Sequence, residues 1–327
     1  MVNTVGVFST SYARYGYESV FGTSPGDAAL TTYFGHNVKF TSTAKNNIER
    51  IANLNNRNYT QMAAKKFEGT WSSDAQASNF YWMKGVLGDV TDAGAGPYTH
   101  TYNETNCPPS ITIQQSEDLA TPSERTMVGC LINKASLNLT VGEVVTVKMD
   151  GTYASESKDA VLNTNGNGAD AEDVFTFAHG VLELPTSTTL TEVQSVDISI
   201  MNNADLLWGL GSRFATERVF KQRVYEIKLG QTREADTNTL NKFYGSTTTL
   251  SNPNKPADVA SLFLTMSNGL GGTALRQFDI KLVNLQVDEY SAPLIPGEVV
   301  KEGTTLYALA LDPTTKAVYT NNTAVSP

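Results

Sequence analysis

Two stretches of the chain, 156 residues apart, carry the same order of residues. The first runs Asn46-Asn47-Ile48-Glu49-Arg50-Ile51-Ala52-Asn53-Leu54-Asn55-Asn56-Arg57. The second runs Asn202-Asn203-Ala204-Asp205-Leu206-Leu207-Trp208-Gly209-Leu210-Gly211-Ser212-Arg213. The spacing from asparagine pair to arginine is the same in both, and Lys65 and Lys221 keep the same offset. Self-similarity at a long fixed period points to one supersecondary unit used twice, which must satisfy the same apolar face and the same edges in each copy.

The unit is built of strands. Val38, Phe40 and Ser42 share one face of an extended segment. Ile111 and Ile113 alternate with Thr112 and Gln114. Leu137, Leu139 and Val141 alternate with polar neighbours, and Val145, Val147 and Met149 repeat the pattern. Period two describes a strand with one face buried and one exposed, as in antiparallel sheets. Val141-Gly142-Glu143-Val144 reads as a tight turn between long strands near 126–141 and 143–153. Residues 257–266 fit either state and are assigned to a strand. Ser267-Asn268-Gly269 then reads as a hairpin turn, and Leu275 to Asp288 as a long strand.

Helical signals are few. Asp74 is placed to cap a short helix reaching Leu87, and Asp236 to Tyr244 is the matching segment of the second half. Leu131-Ile132-Asn133 and Leu282-Val283-Asn284 read as a further repeated pair. The expected architecture is mainly β: two tandem sandwich or barrel domains, each with a short α-helix, plus terminal arms. The expected divisions are an N-terminal arm (1–30), a first domain (31–155), a linker (156–172), a second domain (173–290), and a C-terminal arm or added strands (291–327).

The chain has 24 basic and 33 acidic residues and a formal charge of −9. Gripping nucleic acid needs clustered Lys and Arg, so a nucleic-acid clamp is not expected. No run of about 18 apolar residues is present, so no membrane span is expected. Cys107 and Cys130 could pair, but free thiols are the preferred reading, with Cys130 in an apolar strand. Two cysteines with His36, His100 and His179 make no zinc-type spacing, and no cofactor is expected.

Several segments resemble a known family. They are Tyr15-Gly16-Tyr17-Glu18-Ser19-Val20-Phe21-Gly22-Thr23, Val128-Gly129-Cys130-Leu131-Ile132-Asn133-Lys134-Ala135-Ser136-Leu137 leading into Val141-Gly142-Glu143-Val144-Val145-Thr146-Val147, and Val193-Gln194-Ser195-Val196-Asp197-Ile198-Ser199-Ile200-Met201-Asn202-Asn203. In this order the chain resembles the major tail tube proteins of long-tailed phages and archaeal tailed viruses. The resemblance implies a non-enzymatic virion protein, made in the host cytoplasm, whose inner sheets continue from subunit to subunit. Rings of such subunits stack into a hollow tail, meet neighbouring tail proteins and pass genome DNA. Two domains per chain would let a trimer imitate a sixfold ring; one would need a hexamer. Glu143 and Asp279 are then candidates to face the lumen or its rim, against the plainer reading as solvent-facing strand residues.

Other motifs are weaker. Gly22-Thr23-Ser24-Pro25-Gly26 has the spacing of a nucleophile elbow, but Pro25 lacks the N–H that would serve as oxyanion donor. Asn163, Asn165, Asn167 and Gly168 imitate the start of a calcium loop, but Val174 stands where a bidentate glutamate belongs. Trp71, Trp82 and Trp208 leave open a carbohydrate-binding sandwich as the alternative.

Overall fold

The alternating segments are strands. The computed structural model describes residues 12–54, 57–117, 123–159, 172–185, 188–232, 243, 259–296 and 299–324. In chain order it begins with β1 (Tyr12–Tyr17), β2 (Thr32–Tyr33), β3 (His36–Lys45), β4 (Ile48–Ala52), β5 (Tyr59–Ala64) and β6 (Glu68–Gln76). Helix α1 (Met83–Leu87) follows, then β7 (Gly88–Ala93), β8 (Tyr98–Glu104), β9 (Ile111–Glu117), β10 (Ser123–Thr140), β11 (Thr146–Tyr153) and β12 (Ser155–Asp159). The remainder are β13 (Gly180–Glu183), β14 (Val193–Met201), β15 (Ala204–Leu207), β16 (Glu217–Phe220), β17 (Val224–Thr232), β18 (Val259–Ser267), β19 (Gln277–Ser291), β20 (Lys301–Leu311) and β21 (Ala317–Asn321).

One antiparallel sheet runs without interruption in the order β3-β6-β11-β10-β14-β17-β20-β19. The long strands β10 and β19 leave it at their N-terminal ends to join other pairings. There β10 pairs with β9 and β12, and β19 with β18 and β21. The core lies between these layers. Met149, Val147, Leu137, Ile198, Ile227 and Leu306 come from the continuous sheet. Ile113, Leu262 and Leu264 come from the other strands, and Met127, Phe278 and Ile280 from the diverging N-terminal ends of β10 and β19. All belong to one buried cluster.

The repeat is visible in the register. β6 and β17 span equivalent residues at an offset of 156, from Glu68–Gln76 to Val224–Thr232. The shift between His36 and Lys39 in β3 recurs between Val193 and Ser195 in β14. Asn47 and Asn203 both take positive φ, 46° and 48°. Each donates its side-chain N–H to a matching carbonyl, that of Lys66 (3.0 Å) and of Gln222 (2.8 Å). The ion pairs Lys65–Glu49 (2.8 Å) and Lys221–Asp205 (2.5 Å) also correspond. Asparagine tolerates the left-handed region better than other side chains with a Cβ, which fixes both positions.

Two expectations need correction. The β10–β11 register shifts between Ile132 and Lys134, and the β19–β20 register between Val287 and Glu289. Asn133 therefore corresponds to Asp288, at an offset of 155, and not to Asn284. The counterpart of Asn284 (φ 56°) is Gly129 (φ 66°). The second correction concerns Asp74, which lies inside β6 between β3 and β11. Trp71, Ser73 and Ala75 point inward at period two, so the strand continues to Gln76 and the helix is confined to Met83–Leu87. Residues 236–244 lie outside the described residues except Phe243, and the Asn163–Gly168 loop lies outside them as well. Of the expected linker, residues 156–159 belong to strand β12; of the expected C-terminal segment, β20 and β21 are built into the sheets.

Phe80 and Phe278 stack at 3.9 Å between centroids and tie the two halves together through the core. Both are fully buried. Phe278→Ala is expected to cost about 3–5 kcal/mol in denaturant-induced unfolding, from lost transfer energy and the cavity left behind. A loss below about 1 kcal/mol would show that the halves do not depend on this contact.

Candidate assembly interface

The two strand sets are joined where β10 pairs with β14, from Lys134 opposite Met201 to Thr140 opposite Ser195. At the centre of the joint Ser136 Oγ and Ser199 Oγ lie 2.7 Å apart. One end is closed by a polar knot. Asn202 donates its backbone N–H to Asn133 (2.7 Å) and its side-chain N–H groups to the carbonyls of Val86 and Ile132. Arg223 donates to Asn202 Oδ1 at 2.9 Å and to the carbonyls of Val86, Leu87 and Thr105. These bonds satisfy main-chain acceptors at the end of α1, where the helix leaves carbonyls without intrahelical donors.

The counterpart of β14 in the first set is β3, and its situation is different. β3 pairs on one side with β6, and no strand lies on its other side among the described residues. No residue of β3 is buried, whereas Val196, Ile198, Ser199 and Ile200 of β14 are. At the far end of the sheet, the counterpart of Lys134–Thr140 is residues 289–295. Leu294 and Ile295 are exposed there (76% and 54%), while Leu139, the counterpart of Leu294, is buried in the joint. The continuous sheet thus ends on two edges, each matching in residue offset one half of the β10–β14 joint.

The sheet face turned away from the core is polar. Across it Lys39, Asp74, Lys148, Ser136, Ser199 and Glu226 stand opposite one another, strand by strand. A parallel row runs Gln76, Thr146, Asn138, Asp197, Lys228 and Thr305. Opposite charges on neighbouring strands are favourable cross-strand pairs. Burial pushes the Asp150 carboxyl up, and Lys134 opposite it pulls it back. Glu143 is exposed in the turn between β10 and β11, where it lines the same polar groove as Asp74, Lys148 and Asp197. Asp279 is not beside it. It lies on the stretch of β19 that pairs with β18 and β21, accepting a hydrogen bond from Gln277 at 2.7 Å.

A family model described as phage tail tube protein matches residues 9–251. The chain belongs to the phage tail tube protein family. Membership makes it a structural protein of the virion tail, and the family is not an enzyme class. Comparison with curated proteins returned no match.

The segments through which this tail tube protein resembles its family touch one another. Glu18 is buried and accepts hydrogen bonds from Ser110 (2.6 Å), Thr112 (2.7 Å) and the main-chain N–H groups of Gly22 and Gly129 (both 2.8 Å). A carboxylate so surrounded is held by charge-assisted hydrogen bonds that offset its burial. It fastens β1 and the following turn to the positive-φ kink of β10. Sequence reasoning found these segments by resemblance but had no signal that Glu18 bridges them.

The weaker motifs find structural places in this tail tube protein. Trp71 and Trp82 are buried, and Trp208 is half-buried beneath Lys66, so the three tryptophans form no exposed platform for a sugar. The Gly22–Gly26 segment is an exposed turn with Gly22 and Gly26 at positive φ. Cys107 and Cys130 are both free thiols, Cys107 exposed and Cys130 buried.

Burial raises the Asp279 carboxyl above its ordinary range, against the lowering effect of hydrogen bonds from Gln277 and Thr265. The folded state then holds this proton more tightly than the unfolded one, so stability falls as pH rises through the carboxyl range. Asp279→Asn is expected to raise Tm at neutral pH, with the gain vanishing in acid. A gain that persists unchanged in acid would assign the effect to something other than this carboxyl.

Proposed function

We propose that the chain is a tube subunit made of two tandem domains of one kind, three copies of which close a ring and stack into the hollow tail through which genome DNA leaves the virion. The observation that carries this reading is the internal β10–β14 joint. Applying the repeat to that joint sets β3 of one copy against residues 289–295 of the next. The pairing then brings Glu289 opposite Lys45, Ser291 opposite Thr43 and Leu294 opposite Phe40. Opposite charges meet, small hydroxyl residues meet and apolar residues meet, as cross-strand pairing requires. Ser291 and Thr43 are the counterparts of Ser136 and Ser199, whose hydroxyls touch in the internal joint.

The geometry gives the ring a physical cause. An unpaired strand edge is a template for further pairing, and a closed ring of head-to-tail joints leaves none. Three chains supply six strand sets, with internal and intermolecular joints alternating. The polar face lines the lumen in this reading. DNA carries about one negative charge per 1.7 Å of axis, and a face where lysines alternate with carboxylates offers it no continuous basic track. Glu143 belongs at the rim of this face; Asp279 lies outside it and is not assigned to the lumen. Neighbouring tail proteins complete the tail at the two ends of the stack, and assembly takes place in the host cytoplasm.

The decisive test is covalent capture. In a Cys107→Ser background, the pair Thr43→Cys and Ser291→Cys is expected to form disulfides between chains on oxidation of assembled particles, ending at a covalent trimer. Disulfides found only within single chains would overturn the joint, and a ring with six chains by mass would overturn the two-domain trimer.

The lumen assignment has its own readout. Asp74→Lys with Asp197→Lys is expected to slow genome ejection by adding a basic track to the face. Unchanged ejection kinetics in assembled virions would remove the electrostatic role.

A further inference from the structure

The hairpins β4–β5 and β15–β16 are counterparts at the 156-residue offset, yet their surroundings differ. β15–β16 lies on the first strand set. Ala204 and Leu206 are buried against Leu131. Arg218 donates to Ser110 Oγ at 2.7 Å, and its guanidinium stands 5.4 Å from the centre of the Phe21 ring. The following contact is the most specific. Arg213 donates to the main-chain carbonyl of Lys65 at 3.0 Å and to Asn46 Oδ1 at 2.9 Å, and its own carbonyl accepts from Phe67 N–H at 2.8 Å.

In β4–β5 every residue is exposed. Ile48, the counterpart of Ala204, is 51% exposed, and Met62, the counterpart of Arg218, 73%. Arg57, the counterpart of Arg213, is exposed and makes no hydrogen bond or ion pair among the described residues. Ile48, Ile51, Tyr59 and Met62 leave an exposed apolar surface on this hairpin, with the Arg57 guanidinium beside it, which marks an interaction surface.

We propose that β4–β5 is an arm that docks on the second strand set of a second copy of this chain, with Arg57 donating to the main-chain carbonyl of the partner's Lys221. This rests on the ring reading above and specifies the contact that fixes its joint. Lys221 is the counterpart of Lys65, so the contact repeats the one made inside the chain by Arg213. One difference follows from the residues present. Asn202, the counterpart of Asn46, already accepts from Arg223, so Arg57 lacks the second acceptor that Arg213 has. The intermolecular clamp is therefore the weaker of the two, which lets chains fold before rings close. The occupant is a copy in the same ring, because β15–β16 packs across the joint that its own neighbouring strand β14 makes.

The test uses the full chain bearing Thr43→Cys, Ser291→Cys and Cys107→Ser, read by yield of covalent trimer and by thermal unfolding of the monomer. Arg57→Ala is expected to leave monomer Tm unchanged and to raise the concentration for half-maximal trimer capture about tenfold, the size of one charge-assisted hydrogen bond. Met62→Glu is expected to abolish capture. If both variants form trimers as the parent does, the docking is overturned while the ring stands. It is equally overturned if trimers form normally and only stacking of rings is lost, since the arm would then reach another ring. If the parent itself yields no interchain disulfide, the ring reading falls and this inference with it.

Discussion

The antiparallel joint between β10 and β14 is the constraint from which the rest of the architecture follows. It buries one edge of each strand set against the other and converts two four-stranded sheets into one. A head-to-tail joint of this kind uses different edges of its two partners. However many units are added in line, one edge of each kind is left over. In the proposed reading the same joint would recur between chains, and closure is the arrangement in which no edge of this sheet remains unpaired. The burial contrast between β14 and β3 is the local sign of this.

Much of the fold is legible in the sequence because period two is a local signal. Val147 and Met149 alternate in β11 as read, residues 259–267 are a strand, and the turn at Val141–Val144 lies between β10 and β11. The 156-residue offset is legible because the asparagine at its start occupies a left-handed position that few side chains accept. The same logic misleads further on. Gly129 and Asn284 solve one backbone problem with two residues, so the true correspondence is hidden, and the resemblance of Leu131–Asn133 to Leu282–Asn284 is accidental. Asp74 reads as a helix cap because local sequence does not report the two neighbouring strands that hold it extended.

The candidate surface is less legible than the fold. Alternation tells which residues share a face within one strand, but the rows across a sheet depend on register between strands distant in sequence. Asp74, Lys148 and Lys39 form one row although they are far apart in the chain. For the same reason Glu143 and Asp279, equivalent as acidic residues of strand-rich segments, end up in different parts of the molecule.

The charge distribution bears on how the proposed tube would handle DNA. The chain is acidic overall, at −9, yet the polar face of its continuous sheet is not an acidic wall. Lys39, Lys134, Lys148 and Lys228 stand beside Asp74, Asp150, Asp197 and Glu226. A wholly basic face would release counterions from the duplex and hold it, while a wholly acidic one would strain the sheet by like-charge neighbours across strands. Interleaved charges avoid both penalties. They stabilise the sheet through its own cross-strand pairs and keep its face hydrated. Among the described residues, the same side chains that hold neighbouring strands in register thereby leave no run of unneutralised lysine on this face, which is what the proposed lumen would need.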